Sequence, residues 1–276
     1  MVINGNAAER TPITIGGITI TNCHTYVYLG SPFTQDGKVT SAIKAHCDAK
    51  ASHIIKFAAF VKKNQDFPFW IKKKVLDSAL LSAILYGCES WMCHNLGQIS
   101  PLYMGAIKIL LGVRKTTTND LCLLELGYPS PKAMIQNIQQ RCLRNLISKQ
   151  GQTADDPFNL IWTLVADART PTARYVLQLM HEDNITTTDI TMLKGKVRNR
   201  DSTKCNTYCK VINPSLEVHP IYTNTTSEVS EYQRLSFTRL RLSAHTLAVE
   251  TGRWCRKPRE TVCVSVGRSR QNLTFV

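Results

Sequence analysis

The sequence predicts a mainly α-helical fold with a small antiparallel β-sheet at its N-terminus: a helical bundle followed by a helical C-terminal extension. Three observations carry this reading. Apolar residues alternate around Gly16-Gly17, the period-2 signature of a β-hairpin. From Val39 to about Lys149 the apolar period is that of helices. After a polar stretch, residues 228–249 return to a helical pattern.

Taken in order, Ile13-Thr14-Ile15 and Ile18-Thr19-Ile20 flank two glycines that tolerate the positive φ of a type I′ turn. The β-branched and aromatic run Thr25-Tyr26-Val27-Tyr28-Leu29 predicts a third strand, stopped at Gly30-Ser31-Pro32, and Asp36-Gly37 marks a turn. Val39, Ile43, Cys47, Ala51, Ile54 and Ile55 form one helical stripe to about Phe60, with residues 61–68 as a Lys-rich connection. The stretch from Ile71 to Trp91 organises the rest. Its residues Ile71, Val75, Leu76, Ala79, Leu80, Ala83 and Ile84 share one helical face. Lys72, Lys73 and Lys74 crowd its first turn, where the helix dipole disfavours cations. Either they are a solvated basic face or they meet an anionic partner; both readings expect them exposed.

A third helix spans residues 98–111, with Gly112 as its left-handed stop. Asn119 can cap a short helix closed by Gly127. Ser130-Pro131 opens a helix with Met134, Ile135, Ile138, Cys142, Leu146 and Ile147 inward. Asp156-Pro157 and Thr170-Pro171 each open a helix, and Thr188 another through Lys196. Residues 198–227 read as a long polar loop. The last helical pattern runs around Tyr232, Leu235, Leu240 and Leu247. The organisation expected is a hairpin and strand over 1–35, a bundle over 36–150, helices and a linker over 151–227, and a basic extension over 228–276.

Lysine and arginine outnumber aspartate and glutamate 34 to 20, a net charge of +14. Such a surplus suits nucleic acid better than an anionic membrane surface. No apolar run of about 18 residues predicts a membrane helix. No secretory signal is visible, so the ten cysteines are expected as reduced thiols in a cytoplasmic or nuclear protein that is not secreted. On that reading the sequons at Asn184, Asn224 and Asn272 are chance matches.

Few residues offer chemistry. Paired aspartates can hold two divalent metals for nucleotidyl transfer, but Asp155-Asp156 has no apolar strand around it and precedes Pro157, which favours a helix N-cap. Cys205, Cys209, His219, Cys255 and Cys263 are spaced too loosely for the usual zinc pairs. No nucleophile elbow, phosphate-binding loop or dinucleotide fingerprint occurs. No catalytic residue, metal ligand or cofactor is therefore assigned. What remains is binding. Lys56, Lys62, Lys63, Lys72, Lys73 and Lys74 lie around one helix–loop–helix, interleaved with Phe57, Phe60, Phe67, Phe69 and Trp70. Basic residues engage phosphates and exposed aromatics stack on bases; the alternative, favoured for the aromatics, is core packing.

Tyr26-Val27-Tyr28-Leu29-Gly30-Ser31, then Asp36-Gly37, then a helix with Ile43 and Ala49 resembles the region after the catalytic aspartates of non-LTR (LINE-type) retrotransposon reverse transcriptases. In that family an aromatic-x-Tyr-Leu-Gly strand ends the palm. Leu85-Tyr86-Gly87-Cys88-Glu89-Ser90-Trp91 resembles the family's Leu-Tyr-Gly-x-Glu-x-Trp. A third likeness is Ile109-Leu110-Leu111-Gly112-Val113-Arg114 followed by Glu125-Leu126-Gly127. A fourth runs from Thr238-Arg239-Leu240-Arg241-Leu242 and His245 through Glu250-Thr251-Gly252-Arg253-Trp254 to Pro258-Arg259-Glu260 and Cys263. The resemblance implies the palm end, thumb and C-terminal extension of an RNA-directed DNA polymerase, with RNA or an RNA–DNA duplex as partner. It would set Tyr28, Leu29 and Gly30 near the primer terminus and the Lys56–Lys74 lysines along the nucleic-acid backbone. The family's catalytic aspartates and their divalent metal, Mg2+, belong to a preceding segment of the full-length protein, so this chain is expected not to polymerise alone. The family's terminal Cys/His knuckle is incomplete, with Val266 and Thr274 where a Cys and a His would stand. The alternative is a degenerate or domesticated helical interaction protein with neither nucleic-acid nor enzymatic activity.

Overall fold

A computed structural model describes residues 1–148, 169–225 and 229–244. They form a mainly α-helical fold with small antiparallel sheets at the N-terminus. Strands β1 (Ile13–Ile15) and β2 (Ile18–Ile20) pair with Ile13 opposite Ile20. Gly16 and Gly17 take φ of 55° and 80° between them, as a type I′ turn requires. Strand β3 (Thr25–Tyr28) does not end the sheet region as the sequence suggested. It turns at Leu29-Gly30 and pairs with β4 (Ser31–Thr34) as a second hairpin. Pro32 is tolerated there because β4 is an edge strand.

Asp36 then ties the second hairpin to the first long helix. Its carboxylate accepts from Ser41 Oγ (2.6 Å), Thr34 Oγ1 (2.7 Å) and the Lys38 amide (3.1 Å). These bonds, that from Ser41 first, lower its pKa to about 2. Helix α1 (Val39–Lys63) continues into the first three residues of the expected connection. It buries Ile43, His46 and Phe57, whereas Ile55, placed in the stripe by the sequence pattern, is 72% exposed. The true stripe bends toward Ile54 and Phe57, which continue the spacing from Ile43 and Cys47. His46 Nε2 lies 2.9 Å from the Ile84 carbonyl, and burial lowers the imidazole pKa.

Helix α2 (Phe69–Val75) runs through a π-helical stretch (Leu76–Leu81) into a last turn, α3 (Ser82–Ile84). The wider π turn adds one residue to the helical register, and Leu76, Leu80, Leu81 and Ile84 all reach the core. The helix stops at Ile84 rather than Trp91, because Gly87 adopts φ of 74°. Helices α4 (Ser100–Leu111) and α5 (Asn119–Leu126) end at left-handed Gly112 and Gly127, as expected. Helix α6 (Pro131–Ser148) follows, with Ser130 Oγ accepting from the Ala133 amide. Met134, Ile138, Cys142, Leu146 and Ile147 are only half-buried. The inward face holds Ala133, Ile135 and Leu143 together with three glutamines, Gln136, Gln139 and Gln140; Gln139 donates to the Cys88 (2.9 Å) and Trp91 (2.8 Å) carbonyls and accepts from Tyr175 (2.7 Å).

Helix α7 (Pro171–His181) is capped by Thr170, as its Thr-Pro start predicts. Helix α8 (Ile185–Asn199) begins at Ile185 instead of Thr188. The expected linker is structured in its middle: α9 (Thr203–Thr207), a π turn (Tyr208–Ile212) and a 3-10 turn (Pro220–Tyr222) bury Cys205, Tyr208, Leu216 and Tyr222. Helix α10 (Glu231–Arg241) opens on a capping box of Ser230 and Gln233. Its orientation inverts the expectation. Tyr232 and Leu240 are 80% and 54% exposed, and the buried face is Arg234, Thr238 and Arg241.

One apolar cluster runs from Ile43 to Leu242 and joins both halves of the described chain. Cys88 and Cys122 serve packing: burial pushes their thiols up to about 12. No helix among the described residues is long and apolar enough to cross a membrane. Asp155-Asp156, Cys255, Cys263, Val266 and Thr274 lie outside the described residues.

Candidate functional site

The stretches singled out in the sequence meet in two pairs. The Tyr28-Leu29-Gly30 turn rests on Tyr86 of the Leu-Tyr-Gly stretch. The Tyr86 hydroxyl donates to the Leu29 carbonyl at 2.9 Å, and a Cβ on Gly30 would stand 2.9 Å from Tyr86 Cε1. In return, a Cβ on Gly87 would stand 2.7 Å from Ser31 Oγ. Leu29 is held at φ of 47°, a left-handed conformation that branched and bulky residues seldom adopt. Tyr28 and Leu29 are both exposed. Gly30→Ala should cost roughly 1–3 kcal/mol, because φ of 82° and the Tyr86 ring both oppose it. A shift of the denaturation midpoint checks this.

The second pair joins α5 to α10. Glu125 is fully buried. It accepts from Tyr222 (2.8 Å), from Tyr208 at short range, and from Arg241 Nε at 2.5 Å. Burial, reinforced by the Glu125 charge, drives both tyrosine pKa values up. From Tyr222 the chain of polar contacts continues to Thr238 Oγ1 (2.8 Å) and Arg234 (3.3 Å). Arg234 then grips both oxygens of Glu231 at 2.6 and 2.8 Å. It ends at Lys72, whose Nζ donates to Glu231 and to the Gln65 carbonyl, each at 2.9 Å. Two glycines leave room for this docking. A Cβ on Gly112 would overlap Leu235 at 2.3 Å, and one on Gly127 would meet Val218 at 2.7 Å. Arg239 Nε also donates to the Gly112 carbonyl at 2.9 Å, where the α4 dipole favours a cation.

The lysines therefore divide. Lys72 is 1% exposed, which corrects its placement on an open basic face; the spacing Phe69, Lys72, Leu76 already puts it on the core stripe. Lys73 is half-buried, paired to Asp77 at 2.7 Å and lying 5.0 Å from the Tyr128 ring centre. Lys56, Lys62, Lys63 and Lys74 are exposed and make no salt bridge among the described residues. The aromatics divide too. Phe57 and Phe69 are core, Phe60 is half-buried, and Phe67 and Trp70 stand at the surface.

Among the described residues the acidic groups nearby are tied up in other contacts. A cavity of about 680 Å3 gathers Asp120, Asp183 and Asp189, but each is engaged. Asp189 accepts from the Ser130 amide and hydroxyl (2.7 and 2.8 Å), Asp120 faces Arg200 (3.4 Å) and Asp183 faces Arg144 (3.8 Å). Among the described residues no three His, Cys, Asp or Glu side chains are grouped to hold a metal, Cys205 and Cys209 included. Arg234, Thr238 and Arg241 are invisible to apolar periodicity, which passes over a polar inward stripe; their i, i+4, i+7 spacing was the available signal. No protein-family model matches the chain, and no curated protein or solved structure matches it.

Proposed function

We propose that the chain is the palm-end and thumb region of a non-LTR retrotransposon reverse transcriptase, acting to hold primer–template nucleic acid. The observation that supports this most is the pairing of the resembling stretches. Gly30 and Ser31 fit against Tyr86 and Gly87, and Glu125 bonds Arg241. These contacts bring the resembling stretches side by side in the order that the reading needs. The reading assigns nucleic-acid contact to the exposed Tyr28-Leu29-Gly30 turn and to Lys56, Lys62, Lys63 and Lys74; Lys72 and Lys73 drop out.

Replacing Lys56, Lys62, Lys63 and Lys74 together by Gln tests the assignment. Stability should change little, since exposed substitutions are usually within about 0.5 kcal/mol. Binding to an RNA–DNA duplex should weaken alike for all sequences, because phosphate contacts position without reading bases. The slope of log affinity against log salt should become shallower by about 0.9 for each phosphate no longer held. Unchanged affinity and slope would remove these lysines from the interface.

A second reading, an interaction module without nucleic-acid affinity, draws on one observation. Ile13, Ile15, Ile18 and Ile20 share a face of the first hairpin and are 55–70% exposed. Patches of that kind often mark protein contacts. Absence of any salt-dependent binding to RNA or DNA would favour it.

A further inference from the structure

We infer that the corner between α1 and α2 is a single-strand site, where Phe67 and Trp70 stack on unpaired bases while Lys62, Lys63 and Lys74 hold the flanking phosphates. The inference rests on the nucleic-acid reading above and names a partner form that reading does not. Phe67 and Trp70 are 42% and 41% exposed, although Phe57 and Phe69 nearby are fully used in the core. Phe67 occupies the turn and packs edge-on against Phe60 at 6.4 Å, so its ring is braced from behind. Trp70 lies in the first turn of α2, and Lys74 follows four residues later on the same side. Lys62 and Lys63 close the last turn of α1, one short turn before Phe67.

The charge of the corner points to a polyanion. The exposed Lys56, Lys62, Lys63 and Lys74 make no salt bridge among the described residues, and the stretch between them holds one acid, Asp66. Glu231, which approaches from α10, is already neutralised by Lys72 and Arg234. A recess of about 130 Å3 beside Trp70 is lined by Asn224, Thr225 and Ser230 as well, which gives a stacked base polar neighbours. A duplex keeps its bases stacked on one another and offers lysines only its phosphates. Exposed rings gain from nucleic acid only when bases are unpaired.

The full chain is titrated with labelled oligo(dT), oligo(U) and an RNA–DNA duplex. In Phe67→Ala and Trp70→Ala the single-strand affinity should fall roughly 5- to 150-fold per ring. Duplex affinity should stay within about twofold, since its phosphate contacts remain. Trp70→Phe should recover most of the loss by restoring a π face. Circular dichroism checks that the variants fold. Single-strand affinity unchanged by both alanine variants, with duplex binding intact, would overturn the stacking site and leave the duplex reading standing. Trp70→Leu binding as well as Trp70→Phe would also overturn it, because bulk and not the ring would then suffice. Failure to bind any nucleic acid at low salt would remove both readings.

Discussion

Glu125→Ala should destabilise the protein by roughly 3–5 kcal/mol, the range for removing one partner of a buried ion pair. The reasons are specific. Glu125 is fully buried, and its loss leaves the Arg241 guanidinium without its counter-charge, at 8% side-chain exposure. The hydroxyls of Tyr208 and Tyr222 lose their acceptor at the same time. Against a total stability of about 5–15 kcal/mol this loss is large enough to release α10 from the bundle. Chemical denaturation followed by circular dichroism measures it as a lower midpoint. The double variant Glu125→Ala/Arg241→Met should recover part of the loss, because removing both charges avoids the orphaned cation. A single variant costing under about 1 kcal/mol would show that the pair is solvated.

Leu80→Ala comes next, at roughly 2–5 kcal/mol. Leu80 sits in the π-helical stretch among Leu76, Leu81 and Ile84, all core residues. Ile55→Ala is the internal control. The sequence pattern put Ile55 in the core, yet its exposure predicts a change within about 0.5 kcal/mol. Equal losses at both positions would contradict the rotation of α1 described above.

Elements with a dedicated chemical signal were legible in the sequence. Gly16-Gly17 announced its hairpin, Gly112 and Gly127 their helix ends, and Ser130-Pro131 and Thr170-Pro171 their helix starts. These are local devices, fixed by residues next to one another. The errors arose where distant residues decide. Ile71 to Trp91 read as one continuous helix because the apolar residues persist, but Gly87 needed its positive φ to fit against Ser31. Thr203 to Tyr222 read as a linker because its composition is polar, yet Tyr208, Asn213 and Tyr222 are polar for the sake of Glu125. Lys72 and α10 were misplaced for the same reason: a charged residue is assigned to solvent unless its partner is known, and Glu231 stands 159 positions away from Lys72. In the candidate site, the exposed Lys56, Lys62, Lys63 and Lys74 were recognisable as a basic cluster. Which aromatics stand beside them at the surface depended on the rotation of α2, which sequence period alone does not set.

The polar docking of α10 also bears on the order of assembly. Its links to Lys72 and Glu125 close loops of more than a hundred residues, and such closures are gained only after the entropy of bringing the ends together has been met. The hairpins and the helices from α1 to α6 are joined by shorter closures, 57 positions from Leu29 to Tyr86 and 38 from His46 to Ile84, which cost less entropy. Helix α10 is therefore expected to dock after the bundle and to act as a clasp on it, which a φ-value near zero at Arg234 and Arg241 would check. Interactions absent from the transition state govern how fast a structure comes apart more than how fast it forms. On that expectation the buried charges along the clasp act as a brake on opening: removing them should speed unfolding more than it slows folding.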